Sequence, residues 1–225
     1  MLPVKICGLK NINDLDVSIN YGASFGGFIF YENSIRNISI EKAKDLAKYA
    51  RNKLSIVAVF VNAEENFIEE VVSKIKPDFI QLHGNESIEI CEYINRKFGI
   101  PIIKAIQIGK LEDLETVKIF SGKVNKILFD TKLNANKLSG ISKETIDWNI
   151  FKNLDINNEW ILAGGLNVYN IKNAILKTKA NAIDVSSGVE ISPGEKSPNL
   201  IKSFLDKVKI ISQELKLSNQ IYLIP

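Results

Sequence analysis

The sequence predicts an α/β fold, a single closed (β/α)8 barrel spanning residues 1–225, from three observations. Eight short runs rich in Val, Ile, Leu and Phe alternate with longer amphipathic segments from end to end. Most of these runs are almost continuously apolar, as parallel strands covered by helices are. The length of 225 residues suits one such barrel, and no change of composition marks a second domain. A doubly wound open sheet is the alternative, although no G-x-G-x-x-G follows the first run.

The strands are expected where β-branched and aromatic residues cluster between turn residues. These runs lie at residues 4–7, 25–30, 54–61, 79–82, 102–106, 126–129, 160–162 and 182–185.

Amphipathic segments between these runs predict the helices. The second is expected to begin after Ser39, which caps it with Glu41 in the first turn. The others are expected at residues 11–21, 64–74, 86–98, 110–120, 167–177 and 198–215, with a short irregular piece at 146–154. Residues 218–225 then form a C-terminal tail of unknown role.

Composition and charge exclude several classes of function. The formal net charge is +3 and no lysine tract is present, which argues against nucleic acid as a partner. No apolar run reaches the length of a membrane span and no signal peptide precedes residue 4, so we expect no membrane association and a cytoplasmic location. Cys7 and Cys91 have no metal or disulfide spacing, and Cys91 fits the apolar face of a helix.

In a barrel, chemistry is expected at the carboxyl ends of the strands, and the last two loops there predict a phosphate site. Gly164 and Gly165 would let backbone amides approach an anion. Ser186, Ser187 and Gly188 could open a short helix whose N–H groups point at the same anion. The alternative is that these turns only close the barrel.

Cys7 ends the first strand and is followed by glycine, which places it at the barrel mouth. Alternation puts Lys5 on the same face, and Asp184 on the eighth strand is expected to pair with it beneath Cys7. A nearby cation favours a thiolate. The alternative is an inert, buried cysteine.

Three further polar residues at strand ends are candidates for the same site. Asp130 ends an apolar run, where desolvation would raise its pKa and suit a proton donor, although a helix cap is the alternative. His83 could contact a ligand or orient a loop. Arg36 could hold a carboxylate with its planar fork, or be an ordinary surface arginine.

The order of these motifs resembles the phosphoribosylanthranilate isomerase family of tryptophan biosynthesis. The most specific pieces are the Lys5-Ile6-Cys7-Gly8 opening and the Ser186-Ser187-Gly188-Val189-Glu190 segment. The resemblance implies a cofactor-free and metal-free Amadori rearrangement of N-(5-phosphoribosyl)anthranilate to 1-(2-carboxyphenylamino)-1-deoxyribulose 5-phosphate. It also implies a small phosphorylated substrate. The sequence does not report the oligomeric state, and we expect a monomer or homodimer.

The same resemblance assigns roles to residues. Asp130 would be the general acid that opens the ribose ring, and Cys7 the general base that removes the C2′ proton. Arg36 would meet the anthranilate carboxylate, and the glycine and serine loops would hold the phosphate. The chain departs from the family at Ile35, where proline is usual, and in the loop at 136–142, where only Gly140 remains of a glycine-rich sequence.

Two alternatives stay open. Another ribose-phosphate isomerase barrel, such as that of the histidine pathway, shares the phosphate loops but is expected to use an aspartate where this chain has Cys7. A barrel of a different class would bind a phosphorylated ligand without catalysis.

Overall fold

The computed structural model describes residues 1–131, 148–152, 154 and 156–221, and in them eight parallel strands form a closed barrel. The strands are β1 Val4–Cys7, β2 Phe25–Phe30, β3 Ser55–Phe60, β4 Phe79–Leu82, β5 Ile102–Ile108, β6 Lys126–Thr131, β7 Glu159–Ala163 and β8 Ala182–Val185. Each pairs with the next, and β1 pairs with β8 to close the barrel, with Lys5 opposite Asp184. The predicted fold class is confirmed.

Helices surround the barrel. They are α1 Ile12–Asn20, α2 Ile40–Ala50, α3 Glu65–Ile75, α4 Ile88–Phe98, α5 Leu114–Phe120, α6 Ile171–Thr178 and α7 Pro198–Ile221. Short 3-10 helices cover Leu111–Asp113, Trp148–Phe151 and Ser187–Val189, and a small antiparallel hairpin joins β9 Glu190–Ser192 to β10 Glu195–Lys196. No helix among the described residues is long and apolar enough to cross a membrane.

Several predicted helix boundaries were wrong, including the starts of α5, at Leu114 rather than residue 110, and of α6, at Ile171 rather than residue 167. Helix α4 begins at Ile88, with Ser87 as its N-cap, rather than at residue 86. The Glu86 side chain is buried instead and accepts hydrogen bonds from the backbone N–H groups of Asn62 and Gly84. Helix α7 continues to Ile221, so residues 218–221 of the expected tail belong to it. Residues 222–225 and the loop at 136–142 with Gly140 lie outside the described residues.

Alternation along the strands divides the core into two parts. Side chains that point outward from the barrel pack under the helices, as Phe129 does against Phe151 and Trp160, with ring centroids 5.3 and 5.2 Å away. Those that point inward fill the barrel with a second apolar cluster that includes Val57, Ile103 and Leu128. Cys7 belongs to this inner cluster.

Candidate active site

A cavity of about 270 Å³ opens at the carboxyl ends of the strands. It brings together most of the predicted site residues, namely Cys7, Arg36, His83, Asp130, Gly164, Gly165, Asp184, Ser186 and Ser187. Lys5 and Gly188 are not among its lining residues. The prediction that a thiol and a carboxyl face one shared cavity is confirmed for Cys7 and Asp130.

Cys7 sits above a buried ion pair. The Lys5 side chain is fully buried, and its Nζ donates to both oxygens of Asp184 at 3.1 and 3.2 Å. The pair crosses the β1–β8 seam, because Lys5 and Asp184 are register partners. The predicted pairing beneath Cys7 is therefore confirmed.

The charge state of Cys7 reflects two opposing effects. Burial raises the pKa of the Cys7 thiol, while the nearby Lys5 ammonium lowers it, and the Asp184 carboxylate adds to the rise. Burial prevails, so the net pKa lies above its ordinary value. The expectation that the cation makes a thiolate was thus incomplete, since Lys5 offsets only part of the desolvation cost.

Gly27 on β2 makes room for this arrangement, and the sequence analysis gave it no role. A β-carbon at Gly27 would lie 3.0 Å from the Cys7 Sγ and 3.2 Å from the Lys5 Cε. Glycine inside a strand marks such a close approach, and this was the available signal. The absence of a β-carbon at Gly27 therefore leaves space for the thiol and the Lys5 side chain.

Asp130, near the end of β6, is held in the cavity by a histidine. The His83 Nε2 lies 3.2 Å from the Asp130 Oδ2, and its Nδ1 lies 2.7 Å from the Nε2 of the buried Gln81. With the Gln81 amide donating to Nδ1, the His83 proton sits on Nε2 and is donated to the Asp130 Oδ2. The Asp130 side chain keeps a third of its exposure, so it is less desolvated than expected.

The orientation of the Arg36 guanidinium group is fixed, because it makes a bidentate pair with the Glu190 carboxylate. The Nε and Nη2 atoms donate to the two carboxylate oxygens at 2.7 Å each. Lys196 Nζ also donates to Glu190, at 2.7 Å. Burial alone would raise the pKa of Glu190, but hydrogen bonds from Arg36 and Lys196 outweigh it and lower the pKa to about 2.

Glu190 and Lys196 lie on the β9–β10 hairpin, which the sequence analysis did not predict. Glu190 was noted only as part of a motif, and Lys196 was not noted. The signal was the Pro193-Gly194 pair between them, since Pro-Gly marks a turn. Gly194 has φ +82°, in the left-handed region that favours glycine.

The two candidate phosphate loops lie side by side. Gly164 and Gly165 follow β7 with φ of +90° and +62°, and the Ser186 hydroxyl donates to the Cys7 carbonyl at 3.1 Å. A β-carbon at Gly188 would lie 1.8 Å from the carbonyl oxygen of Leu166. Gly188 is therefore required for the loop after β8 to pack against the loop after β7.

A model of the family described as N-(5′-phosphoribosyl)anthranilate isomerase matches residues 4–207. The chain belongs to that family. This confirms the resemblance that the motif order indicated. Two curated members, from Rhizobium leguminosarum bv. trifolii and Rhizobium etli, are each 42% identical over 92% of this chain and 93% of their own length.

Solved structures of the family share the fold. The phosphoribosyl anthranilate isomerase of Thermotoga maritima is 38% identical, with a TM-score of 0.82 over 93% of this chain and 99% of that chain. A family structure in complex with reduced 1-(o-carboxyphenylamino)-1-deoxyribulose 5-phosphate is 35% identical, with a TM-score of 0.80 and the same coverage. A further Thermotoga maritima structure is described as monomers generated from a dimeric enzyme.

Proposed function

We propose that the chain catalyses the Amadori rearrangement of N-(5-phosphoribosyl)anthranilate to 1-(2-carboxyphenylamino)-1-deoxyribulose 5-phosphate. One observation carries the proposal beyond family membership: Cys7 and Asp130 line the same cavity as the two candidate phosphate loops. The reaction needs an acid and a base that reach neighbouring atoms of one sugar, and a shared cavity meets this need.

Asp130 is the general acid in this proposal. Its protonated carboxyl gives a proton to the ring oxygen while the anilino nitrogen lone pair forms the C1′=N bond, which breaks the C1′–O bond and opens the ring. The hydrogen bond from His83 fixes Oδ2 and leaves Oδ1 to face the substrate. Positioning of this kind lowers the entropic cost of proton transfer.

Cys7 is the general base. Its thiolate takes the C2′ proton, the C–H electron pair forms the C1′=C2′ bond, and the iminium nitrogen is neutralised to give the enolamine. Tautomerisation of the enolamine yields the C2′ ketone. Because burial raises the pKa of Cys7, the thiolate depends on the Lys5 ammonium and on the positive charge of the opened substrate.

Binding is divided between the two ends of the cavity. The loops at Gly164 and Gly165 and at Ser186 to Gly188 hold the phosphate through backbone N–H groups and hydroxyls. Arg36 faces the anthranilate carboxylate. The proposal includes no cofactor and no metal, a single domain over residues 1–225, a cytoplasmic location, and a monomer or homodimer. A relative described as dimeric supports the second state.

The decisive assay follows the fluorescence of phosphoribosylanthranilate as it is consumed. We expect Cys7→Ser and Asp130→Asn each to lower kcat by about 10²- to 10⁴-fold, as the loss of an acid or a base does. Cys91→Ser is the matched control, because Cys91 is buried in α4 and does not line the cavity. It should keep the wild-type rate.

Three results would contradict the proposal. Binding of the substrate without turnover by the wild type would instead identify a non-catalytic phosphate-binding barrel. Turnover of only the histidine-pathway substrate would identify the other ribose-phosphate isomerase. Undiminished turnover by either site variant would remove that residue from the mechanism.

A further inference from the structure

The carboxylate of Glu190 joins two parts of the cavity wall that are far apart in sequence. Its Oε1 accepts from Arg36 Nε and Lys196 Nζ, and its Oε2 accepts from Arg36 Nη2 and the Gly194 N–H. Lys196 Nζ also donates to the carbonyl and hydroxyl oxygens of Ser186, at 3.0 and 3.1 Å. One buried carboxylate thus connects the Arg36 fork to the loop after β8.

Burial makes this connection rigid. The side chains of Glu190 and Lys196 are 4% and 1% exposed, whereas that of Arg36 is 23% exposed and lines the cavity. All three Lys196 protons have acceptors within 3.1 Å. Buried, charge-assisted hydrogen bonds resist rearrangement because an unpaired charge there is costly.

The cluster leaves Arg36 able to bind a ligand anion. A guanidinium has five N–H donors, and Glu190 takes two of them. The two cations outnumber the one carboxylate, so the cluster keeps a net positive charge. Arg36 lies against the backbone at Gly8, where a β-carbon would come within 2.9 Å of its Cδ. Its position is therefore fixed from two sides.

We propose that Glu190 and Lys196 are positioning residues that hold Arg36 at a set distance from the phosphate loop. They would thereby select, among aryl-amino adducts of ribose 5-phosphate, those with a carboxylate ortho to the nitrogen. Glu190 acts through Arg36, and Lys196 joins this pair to Ser186; neither residue touches the reacting atoms. The inference rests on the proposed function and adds the determinant of its specificity.

The test measures binding by calorimetry, so that it does not depend on turnover. The two probes are reduced 1-(o-carboxyphenylamino)-1-deoxyribulose 5-phosphate and the same compound without the carboxylate. Glu190→Gln should weaken binding of the carboxylated probe by about 10- to 100-fold, the value of one or two charge-assisted hydrogen bonds, and leave the other probe almost unchanged. Glu195→Gln, which removes the same charge from an exposed position of the same hairpin, should change neither.

Glu190→Asp covers the case in which Glu190→Gln fails to fold. It keeps the charge but is one methylene too short to reach both the fork and Lys196, so the same selective loss is expected with a smaller factor. Kinetics provide a second readout: in either variant KM for phosphoribosylanthranilate should rise far more than kcat falls. A structural defect alone would lower binding of both probes together.

Equal weakening of both probes, or of neither, would overturn the inference. These results are distinct from failure of the proposed function. A wild type that binds the carboxylated probe and discriminates against the other, yet does not turn over substrate, would refute the reaction and leave the positioning role standing. A wild type that turns over substrate without discriminating between the probes would refute only the positioning role.

Discussion

Two buried charge clusters flank the cavity, and they are built in different ways. Lys5 and Asp184 are register partners on adjacent strands beneath Cys7. Arg36, Glu190 and Lys196 belong to loops and a small hairpin at the rim. The first cluster has one cation and one carboxylate, whereas the second has two cations and one carboxylate. In the proposed mechanism, the strand pair holds a charge beneath Cys7, while the loop cluster with its second cation can bind a ligand anion.

The largest effect is expected for Lys5→Met. It leaves the Asp184 carboxylate without its buried partner, which costs about 3–5 kcal/mol of unfolding free energy. Denaturant unfolding measures this, with Lys5→Met/Asp184→Asn as the matched control that removes both charges and regains part of the loss. A loss below about 1 kcal/mol would mean that the ion pair is no stronger than a surface pair.

The same variant should also move the titration of the thiol. The pKa of Cys7 is raised by burial and lowered by Lys5, so loss of the ammonium should shift its alkylation profile to still higher pH. The measurement is made in a Cys91→Ser background, so that Cys7 alone reports. An unchanged profile would show that Lys5 has no electrostatic effect on the thiol.

Gly27→Ala tests the same cluster by crowding rather than by charge. The added methyl group would press on the Cys7 Sγ and Lys5 Cε, and we expect a loss of about 1–3 kcal/mol with an altered alkylation profile. Gly26→Ala is the control, because its β-carbon would meet Leu54 and Leu9 instead. It should lower stability without changing the thiol. Equal effects on the thiol would contradict the close packing at Gly27.

Lys196→Met should cost less than Lys5→Met, about 1 kcal/mol, since Glu190 keeps both hydrogen bonds from the Arg36 fork. Lys202→Met, at an exposed pair with Asp206, is the control and should change stability by under about 0.5 kcal/mol. A loss equal to that of Lys5→Met would mean that the two clusters contribute equally to the free energy of unfolding.

The smallest effect on stability is expected when the pH changes near neutrality, at the cluster of Arg36, Glu190 and Lys196. The pKa of Glu190 is lowered from 4.5 to about 2, so its contribution to stability is fully present above pH 4.5 and is lost as pH falls toward 2. The stability difference between wild type and Glu190→Gln should thus be constant between about pH 5 and 8 and shrink in acid. A difference that varies across the neutral range would contradict the lowered pKa.

The sequence predicted the parts of the site that periodicity controls. The bounds of β1, β2, β4 and β8 match their predictions, and alternation placed Lys5, Cys7 and Asp184 on the inner face. The cluster of Arg36, Glu190 and Lys196 depends on contacts between distant loops, such as that of Arg36 with Glu190 across a sequence separation of 154 residues. No local pattern encodes such a contact. Desolvation of Cys7 likewise depends on the whole barrel.

The ion pair beneath Cys7 also determines when the site can form. Lys5 and Asp184 are 179 residues apart and join the first strand to the last. During synthesis the lysine therefore leaves the ribosome 179 residues before its counter-ion. Any fragment that ends before β8 contains Cys7 but lacks both the Lys5–Asp184 ion pair and a closed barrel around the thiol. Closure of the barrel therefore completes the surroundings of the Cys7 thiol, so the reactivity of this thiol should report on completed folding.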